Sequence, residues 1–439
     1  MENVDLIIFA RWVVPVRPKQ EVLENVGVVV NQGSIVALLS RGECESRFIA
    51  EQVVERPHGV LMPGLINAHT HAPMSLLRGY ADDLPLMKWL SEYIWPAEKK
   101  CVDERFVEFG AELAILEMIK GGTTCFNDMY FFPDVVAKVA KNSGIRASVG
   151  MIVIDFPTVW AQNADEYLDK GMAVHDAFRH ESRIKTTFAP HAPYTVSDAP
   201  LERIRMFADE LDVQIHMHIH ETAHEVEESV AQYGVRPLER LDQLGLLSPR
   251  LQAVHLTQLL PGEIATLAQR GVFAVHCPQS NMKLASGVSP VTAMRNAGVK
   301  LAIGTDGASS NNDLDMLAEM QSAAMMAKHE TLSAEALPAF DALEAATLGS
   351  ARALAIDSVT GSIESGKAAD LVCVDLKQAA SWPVYHPVAQ LVYAVSRDQV
   401  SDVWVEGECL LKEGAPCRMN EEYILDAAQE IAARIAADT

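Results

Sequence analysis

Along residues 1–58, short apolar runs alternate with turns: DLIIFARWVV is followed by VGVVVNQGSIVALL, whose two halves meet at Asn-Gln-Gly-Ser. Runs of this length without helical periodicity predict strands joined as hairpins. The same texture returns at 369–376, 391–396 and 400–411. Two β-rich ends around a different middle predict one small β domain assembled from residues 1–60 and 361–418. The closing stretch, 419–439, carries apolar residues at helical spacing and predicts a surface helix.

In the middle the pattern changes. Eight apolar runs, at 60–71, 123–129, 145–154, 184–190, 213–220, 251–256, 271–278 and 300–306, alternate with amphipathic stretches. One of these, ERFVEFGAELAILEMIKGG, ends at a glycine pair suited to cap a helix. Eight strand–helix units over about 300 residues predict an α/β fold of the (β/α)8 barrel type, spanning 61–360. No short-period repeat or low-complexity segment interrupts it.

Composition narrows the class. With 49% hydrophobic and 22% charged residues in 439, the chain is that of a folded globular protein with a large core. Its formal net charge of -23 repels phosphate backbones and anionic lipid, so no nucleic-acid or membrane-surface partner is expected. Seven scattered cysteines without a CxxC predict reduced thiols and a cytoplasmic location. The N-terminus reads as no signal peptide, and no run approaches the roughly 18 apolar residues of a membrane span. A homo-oligomer is compatible with all of this.

Candidate chemistry gathers at the ends of the predicted strands, where barrel active sites lie. His69 and His71 end the first run, two residues apart and therefore on one face of a strand. The fifth run offers His216, His218 and His220 by the same period, and spacing alone does not choose among them. The sixth run ends at His255, and the eighth leads through GTDGASSNN, with Asp306 at its tip. Imidazole and carboxylate together form a common donor set for zinc and similar ions. A lone HxH is ordinarily structural; histidines at three strand tips with an acid at a fourth are hard to explain that way.

PGLINAHTH, the HIHE of the fifth strand, the AVH of the sixth and GTDGASSNN of the eighth resemble the amidohydrolase superfamily. The closing GSIESGKAADLVCVD resembles that superfamily's β-sandwich return. HAPMSLLRGYADDLPLMKWL, FAPHAPYTVSD and VHCPQSNMKLASGVSPV bring the chain closer still to the 5′-methylthioadenosine/S-adenosylhomocysteine deaminases, over nearly its full length. The resemblance implies a metal-dependent hydrolase barrel with a β-sandwich built from both chain ends. It implies His69, His71, His218 and Asp306 as ligands of one divalent ion, most simply Zn2+, since no lysine is placed to bridge two metals. His218 is singled out because it precedes by three the acid of an H-x-x-E motif, Glu221, which leaves His216 and His220 in support.

The same resemblance assigns catalysis to Glu221, His255 and Asp306. It assigns substrate binding to Glu98, His191, Glu221, Asp306 and Trp89. Glu98 corresponds to an acid that takes the ribose hydroxyls, although read alone it is a helix-surface residue flanked by lysines. Trp89 reads equally as a wall for the base and as a structural core residue. Some relatives also bind substrate through arginines after the third strand. Here that stretch holds none beyond Arg146, which favours methylthioadenosine over the carboxylate-bearing S-adenosylhomocysteine. The expected reaction is hydrolytic deamination of methylthioadenosine, with S-adenosylhomocysteine or adenosine as further substrates. The rivals are another ring hydrolase on the same scaffold, acting on guanine, a triazine or a related heterocycle as deaminase or chlorohydrolase, and a non-catalytic scaffold.

Overall fold

A computed structural model describes residues 1–438. Eight parallel strands hydrogen-bond in chain order: Leu65–Thr70, Thr123–Asp128, Arg146–Val153, Ile184–Pro190, Ile215–Ile219, Leu251–His255, Phe273–His276 and Lys300–Ile303. Each of the eight predicted runs contains one of them. The third strand is buried along its whole length, as expected where helices cover one side of a parallel sheet and a packed interior fills the other.

First and eighth strands close the barrel through a seam rather than a ladder. The Asp306 amide donates to the His69 carbonyl at 3.0 Å, and the Thr305 amide to Asn67 Oδ1 at 3.0 Å. Gly304 permits this approach, since a Cβ there would fall 2.6 Å from the His69 nitrogen. The seam thus joins the backbones that carry two of the candidate ligands.

The predicted run 60–71 proves to be two strands in two sheets. Phe48–Pro63 belongs to a mixed sheet from both chain ends, parallel to Glu2–Val13 and antiparallel to Leu371–Asp375. Leu65–Thr70 then begins the barrel. Gly64 makes the passage, because a Cβ on it would lie 2.1 Å from Thr124 Oγ1. The arms of the mixed sheet meet over a shared core that includes Leu6, Ile8, Val28, Leu371 and Trp404. At the barrel's N-terminal end, Arg146 Nε holds Asp370 at 3.0 Å and its Nη2 holds Glu406 at 3.1 Å, a buried tie between barrel and sheet. Arg146 is therefore occupied far from the strand tips.

The closing helix, Glu421–Asp438, buries Ile424, Ala427, Ile431 and Ile435 at three- and four-residue spacing. It lies against Glu104–Lys120, the helix that Gly121 terminates. Among the described residues, no helix is long and apolar enough to cross a membrane.

Candidate active site

Four side chains converge at the C-terminal mouth of the barrel. Nε2 of His69 and of His71 lie 3.2 and 3.3 Å from Nε2 of His218, and 3.1 and 3.2 Å from Oδ1 of Asp306. All four donor atoms fall within 4.8 Å of one another. Edges of this length leave room for one ion about 2 Å from each donor, the usual span of a zinc–nitrogen or zinc–oxygen bond.

The surrounding hydrogen bonds turn the Nε2 atoms inward. His71 Nδ1 donates to the Met129 carbonyl and His218 Nδ1 to the His191 carbonyl, each at 2.6 Å. A carbonyl only accepts, so each Nδ1 carries a proton, and each ring in its neutral form offers its Nε2 lone pair to the centre. His69 Nδ1 lies 2.8 Å from His216 Nε2, a ring-to-ring contact that leaves His69 Nε2 facing His218 and Asp306. Lone pairs at these separations repel one another unless a cation lies between them. The arrangement is a divalent-metal site.

Burial lowers His69 to about 4, which keeps it neutral. At His71 burial also opposes charge, but Asp306 and the Met129 carbonyl outweigh it and lift the ring to about 9, so that without an ion Nε2 holds a proton toward Asp306 where a metal would replace it. Burial would raise Asp306, yet its contacts with His69 and His71 hold it well below the ordinary carboxylate range. An ionised acid among three imidazoles is the charge pattern a dication completes.

Backbone turns aim these groups. His71 lies one residue past its strand, in a turn that Asp128 pins by accepting from the Thr70 hydroxyl at 2.9 Å and the Ala72 amide at 2.6 Å. Asp306 lies three residues past its strand at φ 65, and His255 ends its own at φ 75. Left-handed backbone at non-glycine positions is held only where surrounding bonds over-determine it. His220 shares this feature, with φ 55. That turn overturns the expectation that His216, His218 and His220 face one way: His220 Nε2 accepts from the Leu238 amide at 3.3 Å, away from the other rings.

A cavity of about 530 Å³ opens above the four donors. Glu221 and His255 line it together, with Glu221 Oε2 3.9 Å from His255 Nε2. Burial raises the Glu221 carboxyl, favouring its protonated form. His255 Nδ1 is held 2.9 Å from Asn281 Oδ1, which turns Nε2 toward the cavity. Glu98 faces the same space despite its lysine neighbours. Its Oε1 accepts from Tyr130 Oη at 2.8 Å, and burial raises it to about 7. His191 lines the cavity as a neutral ring, lowered to about 3 by burial, with Nδ1 3.1 Å from Thr195 Oγ1. Trp89 is both buried and cavity-lining.

Some contributors were not singled out beforehand. Ser280 and Ser310 hydroxyls donate to Asp306 Oδ2 at 2.6 and 2.8 Å, while the Gly307 amide donates to Oδ1 at 2.8 Å. Tyr130, Asn281 and Asp128 likewise orient Glu98, His255 and the His71 turn. The segments carrying Ser280 and Ser310 stood out in the sequence, but no residue type within them marks a second layer.

The chain belongs to the amidohydrolase family, whose profile matches residues 60–410. It is a metal-dependent hydrolase on a (β/α)8 barrel. Within that family its relatives include 5-methylthioadenosine/S-adenosylhomocysteine deaminases. The one from Saccharophagus degradans is 46% identical over 93% of this chain and 92% of its own length. Another, from Thermodesulfovibrio yellowstonii, is 40% identical over 98% of both chains. Among solved structures, a zinc-bound adenosine deaminase from Xanthomonas campestris superposes with a TM-score of 0.98, 53% identity and 99% coverage of both chains. An atrazine chlorohydrolase from Arthrobacter aurescens, complexed with zinc, shares the fold, with a TM-score of 0.90 at 22% identity over 97% of this chain and 100% of its own.

Proposed function

We propose that the enzyme hydrolytically deaminates 5′-methylthioadenosine, with adenosine and S-adenosylhomocysteine as further substrates, releasing the inosine analogue and ammonia. The observation that carries this reading is the pairing, in one cavity, of the four-donor metal site with an inward-facing Glu98 held by Tyr130. His69, His71, His218 and Asp306 would hold the ion, which the zinc in the Xanthomonas relative suggests is zinc here too. When bound, such an ion supplies a water ionised near neutral pH.

The remaining chemistry falls to side chains. Glu221, whose carboxyl burial raises, donates to the ring nitrogen beside the attacked carbon and makes that carbon electrophilic. Asp306 takes the proton released by the attacking water and passes it to the departing amine. His255, fixed by Asn281, orients the nucleophile and steadies the oxyanion. Glu98 accepts from the two vicinal hydroxyls of ribose, His191 bonds the purine and Trp89 provides an apolar wall. Seven free thiols suit a reducing cytoplasm.

The test is a comparison of kcat/KM across nucleosides and free heterocycles in wild type and Glu98→Ala. A hydrogen bond to a charged group is worth roughly 1.5–3 kcal/mol, or about ten- to 150-fold. Glu98→Ala should impose that loss on adenosine and much less on 2′-deoxyadenosine. Faster turnover of adenine, guanine or a triazine than of every nucleoside would place the chain with the other ring hydrolases.

A further inference from the structure

The cavity changes character from floor to mouth. Near the four donors its lining is polar; beyond Glu98 it is formed by the helix Trp95–Cys101, the residues before it, and the segment 155–163 after the third strand. Trp95 precedes Glu98 by three residues, so the two side chains are neighbours on the helix surface. The Trp95 ring meets Phe156 edge-on, with centroids 6.2 Å apart and planes at 63°. Ile94, Pro157 and Val159 line the same stretch.

This wall is preformed. Although Phe156 is 41% exposed, its neighbours are anchored. The Asp155 amide donates to the Thr195 carbonyl at 3.0 Å, and Asp155 Oδ2 accepts from the Ser197 amide at 2.8 Å. The Thr158 amide donates to the Ala161 carbonyl at 2.9 Å. Apart from histidines, Lys99 is the one cation among the cavity-lining residues, and it is exposed at the rim. Glu98, Glu221 and Asp306 make the lining acidic. A carboxylate carried into this stretch would exchange its hydration for no more than the neutral Thr158 and Gln162 and the rim Lys99, whereas a thioether has little hydration to lose.

We propose that Trp95 and Phe156 select the 5′ substituent: with Ile94, Pro157 and Val159 they wall an uncharged subsite that takes alkyl and aryl thioethers and disfavours the zwitterionic tail of S-adenosylhomocysteine. This rests on the nucleoside reading above, which puts the 5′ carbon beyond the diol contact at Glu98.

The experiment measures kcat/KM for adenosine, 5′-methylthioadenosine, 5′-phenylthioadenosine and S-adenosylhomocysteine. It uses the metal-loaded wild type, Phe156→Ala, Phe156→Leu, Val159→Arg and Lys99→Met. In wild type the phenylthio compound should at least match the methylthio one, with S-adenosylhomocysteine about tenfold or more below. Phe156→Ala should lower the phenylthio-to-adenosine ratio about tenfold, by the loss of apolar contact, and Phe156→Leu should restore most of it. Val159→Arg should raise the S-adenosylhomocysteine-to-methylthioadenosine ratio. A phenylthio-to-adenosine ratio unmoved by Phe156→Ala, while adenosine is still turned over, sinks this proposal alone. S-adenosylhomocysteine outpacing methylthioadenosine, with that advantage lost in Lys99→Met, overturns it in favour of carboxylate capture at the rim. Failure to turn over any nucleoside sinks the nucleoside reading and this inference with it.

Discussion

The floor and the mouth of the cavity follow opposite plans. At the floor every working side chain is oriented by a second group: His71 by the Met129 carbonyl, His218 by the His191 carbonyl, Asp306 by Ser280, Ser310 and the Gly307 amide. These residues lie at strand ends or just past them. At the mouth, Phe156 and Val159 hold their places by ring contact and by an anchored backbone, with no polar bond for their side chains to satisfy. The difference separates two demands. Bond making needs atoms fixed to a fraction of an ångström, which only redundant hydrogen bonding to rigid elements provides. Choosing a substituent needs shape and polarity, and a wall of apolar side chains can change without moving the reacting atoms.

The harshest way to break the floor is to remove a donor. His69→Ala or His218→Ala should lose the ion and abolish turnover, checked by metal analysis of the purified protein beside its activity. Because His216 stands directly behind His69 rather than among the four donors, full occupancy and turnover in His218→Ala would show that another ring of the fifth strand serves as ligand. Glu221→Gln should act differently. It should keep about one ion per chain yet lose about 10²–10⁴-fold in kcat, the usual worth of a positioned proton donor. Near-normal turnover in that variant would mean that the ring proton arrives from elsewhere.

The contrast also explains what was legible in the chain. Eight barrel strands stood out because strands in a fully covered parallel sheet are unbroken apolar runs, and their polar ends expose the chemistry. His69, His71, His255 and Asp306 could be picked out as strand-tip residues for that reason. The choice of His218 needed the H-x-x-E pattern, since a period of two also admits His216 and His220, and the turn at His220 is a backbone event with no side-chain signature. The break at Gly64 was hidden because both sides are apolar, and hydropathy does not register a change of sheet. Glu98 looked like a surface residue because its direction is set by the packing of a helix after the first strand, not by its neighbours. Ser280 and Ser310 are ordinary loop residues until Asp306 is placed between them.

A milder test sharpens the claim that redundancy holds the floor. Ser280→Ala removes one of two hydroxyl donors to Asp306 Oδ2, leaving Ser310 in place. Outer-layer partners of this kind typically affect metal affinity or activity about 10–100-fold. Titration with a competing chelator should show weaker metal retention, and Ser280→Thr, which keeps a hydroxyl, should recover part of it. Unchanged affinity and rate would mean that Ser310 and the Gly307 amide suffice alone.

The smallest expected effect lies at the boundary between floor and mouth, in the titration of Glu98. Burial raises this carboxyl to about 7, against the opposing bond from Tyr130. A raised acid keeps its proton as pH climbs from the ordinary range and releases it only near neutrality. Below about pH 7 the group is therefore a neutral acceptor for the diol, and above it a charged one. Hydrogen bonds to charged groups exceed neutral ones by about 1 kcal/mol, or about fivefold. The adenosine-to-2′-deoxyadenosine ratio of kcat/KM should thus rise by about that factor between about pH 6 and 8, since the deoxy compound lacks one of the hydroxyls. Taking the ratio cancels the titration of Glu221 and of the metal-bound groups, which both substrates experience alike. Glu98→Gln, neutral at every pH, should flatten the profile at its low-pH value. A wild-type ratio already flat across that range would show that Glu98 does not change charge beneath the ribose.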